Sequence, residues 1–258
     1  MRFLPLILAP WVCMGQMVVD PYNSFPESGS TLLNDLSAYW DLDETSGTRY
    51  DSTENNNDLT EATVVGYATG IQGNAADFEE SDSDYMYALT ETSLEMNSTS
   101  QDFSISMWVK MESQNNYTGF LGKGDWTSSS WPDYAYQCMA RPTVPRIQFS
   151  IGDGTSSQGW LAPADSLPNG EWHHIVFVGD AANDTMYIYL DAGTPSSNTG
   201  WTTSTYVETT YDFRMGMARP SQYMDGLIDE VGFWKRVLTS AEISALYNGG
   251  SGITYPFD

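Results

Sequence analysis

The segment Met224–Tyr247 constrains this chain more than any other, because it encodes a strand, a turn and a short helix in immediate succession. From Leu227 to Trp234, branched and aromatic side chains fall on both alternating sides, the pattern of a strand covered on both faces. Asp229 and Glu230 interrupt that apolar run. Thr239 stands three residues before Glu242, a capping-box spacing, and Leu238 and Ile243 hold the flanking positions of a hydrophobic staple, so a helix is expected to start there. Ile243, Leu246 and Tyr247 share one face, and Gly249 and Gly250 supply a left-handed stop. The helix is then about two turns long, a plug on a β structure and not a domain.

Upstream of it the chain reads as short strands divided by turn residues, with no other helical periodicity. Ser37–Glu44 alternates, with Trp40 and Leu42 on one side and Asp41 and Asp43 on the other. Ala75–Phe78, Tyr85–Leu89, Phe103–Lys110, Ile147–Ile151 and Phe213–Met217 follow as strands. Trp172–Val178 and Met186–Leu190 are the clearest pair, joined by a loop carrying Gly179, Asp180, Asn183 and Asp184. Aromatics at 14% and hydrophobics at 41% supply a sizeable core, and one main all-β domain suits the length.

The ends differ from the middle. Met1–Met17 has one Arg followed by an apolar run, which fits either a secretory signal or an anchoring arm. Pro5 and Pro10 break up the run, favouring an arm (1–19) that docks on other structural proteins, and it is too short to span a bilayer. Pro21, Pro26 and Gly29 among serines mark 20–35 as a linker before a domain at 36–250 and a tail at 251–258. With 34 acidic to 10 basic residues the charge is −24, which repels nucleic acid and anionic membranes and suits solubility or divalent cations. Cys13 and Cys138 have the spacing of neither a disulfide framework nor a metal site.

Taken in order, Tyr39–Glu44 with Gly47, Asp51–Asp58, Gly73–Phe78, Phe103–Val109, Trp172–Val176, Ile188–Asp191 and Gly226–Val231 resemble a laminin-G-like jelly roll of the concanavalin A-like lectin and glucanase superfamily, over roughly 36–249. The resemblance implies an all-β sandwich of two antiparallel sheets, first and last strands adjacent, with one short C-terminal helix. Such domains with an apolar start and acidic body also resemble accessory structural proteins of tailed bacteriophages. The Glu-x-Asp-x-x-Glu pattern of the superfamily's glucanases is absent, and Asp229 and Glu230, as neighbours on a strand, are expected to face opposite sides. His173 and His174 are likewise neighbours, with core roles. No catalytic site is expected.

Two kinds of binding residue stand out. The Asp51–Asp58 loop is rich in oxygen ligands, and the resemblance adds acids of the first and last strands, giving Asp43, Asp51, Asn57 and Asp229, with Asp58 in reserve, as ligands of a structural Ca2+. The alternative is that these side chains cap their own turns. Trp40, Trp108, Trp172 and Trp234 read as core, whereas Trp126, Trp131, Trp160, Trp201 and Tyr117 sit among Ser, Thr, Gly and Asp, as the platform for a sugar face does. Packing of loops on the sandwich is the plain alternative. The expected role is a non-enzymatic structural or decoration protein of a phage particle, its lectin-like domain outward on the virion surface for host or environmental glycans. An extracellular or cell-surface carbohydrate-binding module is the alternative, and a glycoside hydrolase accessory domain the third.

Overall fold

The computed structural model describes residues 30–89, 92–96, 101–113, 117–130, 133–141, 146–152, 154–155, 157–161, 167–200 and 211–257. The expected arm and most of the linker lie outside that set. In chain order the strands are β1 (Leu36–Trp40), β2 (Thr60–Glu61), β3 (Gly66–Thr69), β4 (Asn74–Phe78), β5 (Met86–Ala88), β6 (Phe103–Met111), β7 (Thr118–Gly124), β8 (Tyr134–Arg141), β9 (Arg146–Gly152), β10 (Ser157–Leu161), β11 (Trp172–Asp180), β12 (Thr185–Leu190), β13 (Ser196–Thr199), β14 (Phe213–Met215), β15 (Met217–Arg219), β16 (Gln222–Tyr223) and β17 (Gly226–Trp234), followed by helix α1 (Ser240–Tyr247).

They form two antiparallel sheets. The first runs β13-β12-β11-β6-β17-β4-β3, with β1 also paired to β17, and the second runs β10-β9-β8-β7-β14-β5-β2. β15 and β16 form a separate hairpin. Side chains alternate across each strand, so both sheets send one face into a shared core. There Trp40 stacks on Phe213 at 5.5 Å, and Phe149 lies 5.1 Å from Phe177 and 5.4 Å from Phe103. First and last strands pair as expected, Trp40 opposite Val231.

A second, smaller core explains why all nine residues of β17 are buried. Val176, Val178, Tyr39 and Trp234 meet Leu238, Ile243 and Leu246 of the helix region and Phe257 of the C-terminal segment on the outer side of the first sheet. The helix begins as its sequence dictates, with Thr239 and Glu242 closing a reciprocal capping box. Arg236 adds two hydrogen bonds to the Glu242 carboxylate at 2.8 and 2.9 Å, which, against the opposing effect of burial, hold its pKa down at about 2. Asn248, at φ 45°, takes the left-handed position ahead of the two glycines. Residues either side of 36–250 join this layer: Leu32 is buried, Trp234 Nε1 donates to its carbonyl at 2.7 Å, and Phe257 packs edge-on against Tyr39.

One expectation fails in β17. Register against β6 shifts between Asp229 and Gly232, and Glu230 adopts φ 50°, a β-bulge that suspends strict alternation. Asp229 and Glu230 therefore do not face opposite sides. Asp229 turns to the 70–74 turn, accepting from the N–H groups of Ile71 and Gln72, and Glu230 accepts from the Tyr39 hydroxyl, which lies beside the Ile253 carbonyl of the C-terminal segment.

Candidate functional site

Away from the shared core, the second sheet presents an outer face of unusual composition. In β8, Tyr136, Cys138 and Ala140 point into the core, so Gln137, Met139 and Arg141 take the other side; in β9, Ile147, Phe149 and Ile151 do the same and leave Arg146, Gln148 and Ser150 outside. The register sets Gln137 opposite Ser150, Met139 opposite Gln148, and Arg141 opposite Arg146. On the other flank Arg214 of β14 lies opposite Gly122 of β7 and Tyr87 of β5.

Glycines in β7 make room for what covers this face. A Cβ at Gly119 would run into the backbone of Ala218 and Gln222, so the β15–β16 hairpin lies directly on that strand. A Cβ at Gly122 would stand 3.5 Å from the Trp126 ring. Trp126 donates from Nε1 to the Asp212 carbonyl at 2.9 Å and meets Tyr134 edge-on at 5.5 Å. The Arg214 guanidinium lies over both Trp126 and Tyr85, 4.5 and 4.6 Å from the ring centres, while its Nε donates to Asp212 at 2.8 Å. Tyr85 continues the aromatic row to Tyr87 and to Tyr223 of the hairpin. At the far end of β8, Arg141 donates to the Tyr117 hydroxyl at 2.9 Å.

Beneath this half-exposed rim lies a buried polar floor. Gln137 is 0% exposed, yet neither its amide oxygen nor its nitrogen has a hydrogen-bond partner. Gln148, 6% exposed, donates to Ser150 Oγ at 2.8 Å but leaves Oε1 unpaired. Arg146 Nε and Gln222 Oε1 are also buried and unpaired. Each such atom carries a desolvation cost of about 1–3 kcal/mol that a polar ligand or water would offset. The face thus combines ring surfaces, cationic donors and unmet amide donors and acceptors.

Of the residues singled out from sequence, Trp126 and Tyr117 lie on this face. Trp126 is not a free platform, because Arg214, Tyr134 and the Gly122 backbone surround it. Trp160 sits in β10 opposite Phe149. Trp131 and Trp201 lie outside the described residues. Gln137, Gln148, Arg141, Arg146, Arg214 and Tyr85 were not anticipated; the signal was the alternation of Arg146, Gln148 and Ser150 with Ile147, Phe149 and Ile151, which marks a strand with one polar face.

The four residues expected to hold Ca2+ divide into separate places. Asp51 Oδ1 accepts from the N–H of Tyr39 and Thr53, and its Oδ2 from Thr53 Oγ1 and from both the backbone and side-chain nitrogens of Asn57, at 2.7 to 3.0 Å. Asn57 Oδ1 in turn accepts from Ser93, and Asp58 Oδ1 from the Asp51 N–H. With five bonds accepted, the Asp51 carboxylate is fully used by the loop itself, which is the turn-capping alternative. Asp43 and Asp229 instead serve the 70–74 turn, Asp43 accepting from the Asn74 N–H. The set does not fit one ion. Among the described residues, three carboxylates lie within 4.8 Å of one another only at Asp77, Glu79 and Glu112.

Asp229, Glu230 and His174 are buried, and His173 is half-buried. Asp229 and Glu230 are 0% and 4% exposed beneath the tail. His174 Nε2 is 2.8 Å from Ser106 Oγ, with Trp108 and Tyr247 packed on its ring, and burial pushes its pKa down to about 3, so it is a neutral core histidine. His173 Nδ1 is 2.9 Å from Asp191. Among the described residues no helix is long and apolar enough to cross a membrane.

A family model for the concanavalin A-like lectin/glucanases superfamily matches residues 81–244. Among solved structures, the binding domain of Paraclostridial Mosquitocidal Protein 1 is similar at a TM-score of 0.67 and 13% identity, over 84% of this chain and 52% of that one. Domain 4 of AbnA, a GH43 extracellular arabinanase from Geobacillus stearothermophilus, in complex with arabinotriose, gives 0.60 and 19%, over 81% and 97%. The binding domain of botulinum neurotoxin serotype G gives 0.65 and 14%, over 82% and 50%. This chain spans about half the length of those toxin domains. No characterised protein sequence matches it. At these identities the likeness is one of fold.

Proposed function

The chain belongs to the concanavalin A-like lectin/glucanase superfamily, and from that premise we propose that it is a non-catalytic carbohydrate-binding domain whose ligand sits on the outer face of the second sheet. The observation that carries this reading is the half-buried rim where the Arg214 guanidinium lies over Trp126 and Tyr85, beside Tyr87 and Tyr223, with the unpaired amide of Gln137 buried beneath it. Sugar hydroxyls donate and accept at once, and sugar ring faces pack on aromatic rings, so a saccharide matches the rim directly and the floor amides through water. The arabinanase domain in complex with arabinotriose and the toxin binding domains lend support by fold. Absence of catalysis is supported by the burial of Asp229 and Glu230, which leaves no exposed acid and nucleophile pair in this stretch.

Gln137→Met separates binding from structure. Replacing an unpaired buried amide by an apolar side chain of similar shape is expected to leave the melting temperature unchanged or raise it. Affinity for glycans retained by the parent on an array that includes arabinan is expected to fall at least about tenfold, a loss of about 1.4 kcal/mol. Unchanged affinity in the folded variant would remove this face from the reading.

Where the domain is displayed is a second proposal, carried by sequence alone. The apolar 1–19 segment docks on other structural proteins of a virus particle and holds the domain outward, with extracellular display as the alternative. Deleting residues 1–17 is expected to leave a folded domain that no longer joins the particle; normal incorporation would overturn it.

A further inference from the structure

We propose that the Arg141–Arg146 end of this face is a subsite for the anionic group, carboxylate or sulfate, of an acidic sugar. The inference rests on the carbohydrate-binding reading and adds the ligand's charge. Three observations carry it. First, the two arginines stand directly opposite each other on β8 and β9, a like-charge pairing that destabilises a sheet by itself. Second, acidic residues outnumber basic ones 34 to 10, yet neither guanidinium forms an ion pair with a carboxylate among the described residues, and the intervening sequence Pro142-Thr143-Val144-Pro145 contains no acid. Third, Gln148, two residues along β9 from Arg146, keeps a buried and unpaired Oε1.

The chemistry assigns each group a part. A guanidinium offers parallel N–H donors that match two oxygens of a carboxylate or sulfate, and a second beside it neutralises the remaining charge. Arg141 is held in place by the Tyr117 hydroxyl, and Arg219 lies within electrostatic reach of the same tyrosine. Along β9, Arg146 and Gln148 are about 7 Å apart, the scale of one sugar ring, so an anion on the arginines leaves a ring hydroxyl to donate to Gln148 Oε1. In a chain of charge −24, an anionic ligand that binds at all needs such a local reversal.

The full chain is tested against polygalacturonate, dextran sulfate, and neutral arabinan and dextran, with Arg141→Gln, Arg146→Gln, the double variant and Arg146→Lys, at low and physiological salt. Tighter binding of at least one acidic polymer than of the neutral ones is expected, weakening with salt. The double variant is expected to lose at least about tenfold for the acidic polymer while its melting temperature stays or rises, because a like-charge pair has gone. Polygalacturonate alone assigns a carboxylate, dextran sulfate alone a sulfate, and both the shared anion chemistry; each supports the subsite. An Arg146→Lys variant that recovers part of the binding supports a charge role. Neutral glycans bound equally well, or a double variant that binds acidic polymer unchanged, would overturn the subsite and leave the carbohydrate reading standing. No binding to any polymer, nor to any glycan on the array, would overturn both.

Discussion

Replacing Asp51 by alanine is expected to destabilise the fold by about 3–5 kcal/mol, measured as the change in unfolding free energy in urea. The carboxylate accepts five hydrogen bonds that tie the loop of Thr53 and Asn57 to the backbone of β1 at Tyr39. Its removal strands donors in a site where Asp51 is only 8% exposed and Asn57 fully buried. Asp51→Asn keeps one oxygen and turns the other end into a donor facing donors, so an intermediate loss is expected. A chelator is expected to leave the parent's melting temperature unchanged, because the Asp51 oxygens already have partners. A drop of several degrees on adding the chelator would return a structural cation to this loop, and an Asp51→Ala variant within about 1 kcal/mol of the parent would show that the hydrogen bonds count for little.

How much of this was legible in the sequence depends on the range of the forces involved. The capping box of Thr239 and Glu242 needs residues three apart, and the helix starts where they place it. Strand β17 was legible because burial on both faces leaves apolar residues on both sides, and the sandwich followed from alternation in β1, β11 and β12. The bulge at Glu230 was not, since a single left-handed residue inside a β-branched and aromatic run has no sequence mark when it is not glycine. The binding face was hidden for another reason. Gln137 looks like a solvated surface residue until the hairpin of Met217–Tyr223 folds over β7 and reaches β8 from far along the chain. Trp126 was picked out by its polar neighbours in sequence, but its surroundings are set by Arg214, which arrives across the sheet.

The second large effect concerns pH. Between about pH 6 and 8 the protein is expected to lose stability as pH rises, and Glu230→Gln is expected to flatten that loss. Burial first of all pushes Asp229 up to about 7, against the pull of N–H groups from Gln72, Ile71 and Glu230. Burial likewise pushes Glu230 up to about 8, against the Tyr39 hydroxyl, with the Asp229 charge adding to the rise. Both folded values exceed the unfolded ones, so the folded state binds protons more tightly. Their contribution is fully present below about pH 4 and is lost as pH climbs through about 7 and 8. At about 1.4 kcal/mol per pKa unit the two together reach several kcal/mol at most, and water entering around the charged forms reduces this to about 2–3 kcal/mol. His174 works in the other direction in a lower window: its folded pKa of about 3 lies below the unfolded 6.5, so its contribution is present above 6.5 and lost as pH falls toward 3. The rise from pH 6 to 8 therefore reports mainly the carboxylates, because Lys235, whose pKa burial lowers to about 8, adds stability only as pH climbs above that value. Glutamine at 230 keeps an oxygen for Tyr39 without a charge to bury, so melting temperatures at pH 6 and 8 should lie closer together in the variant than in the parent. A parent equally stable at both pH values would mean that the bulge already admits enough water to carry both charges.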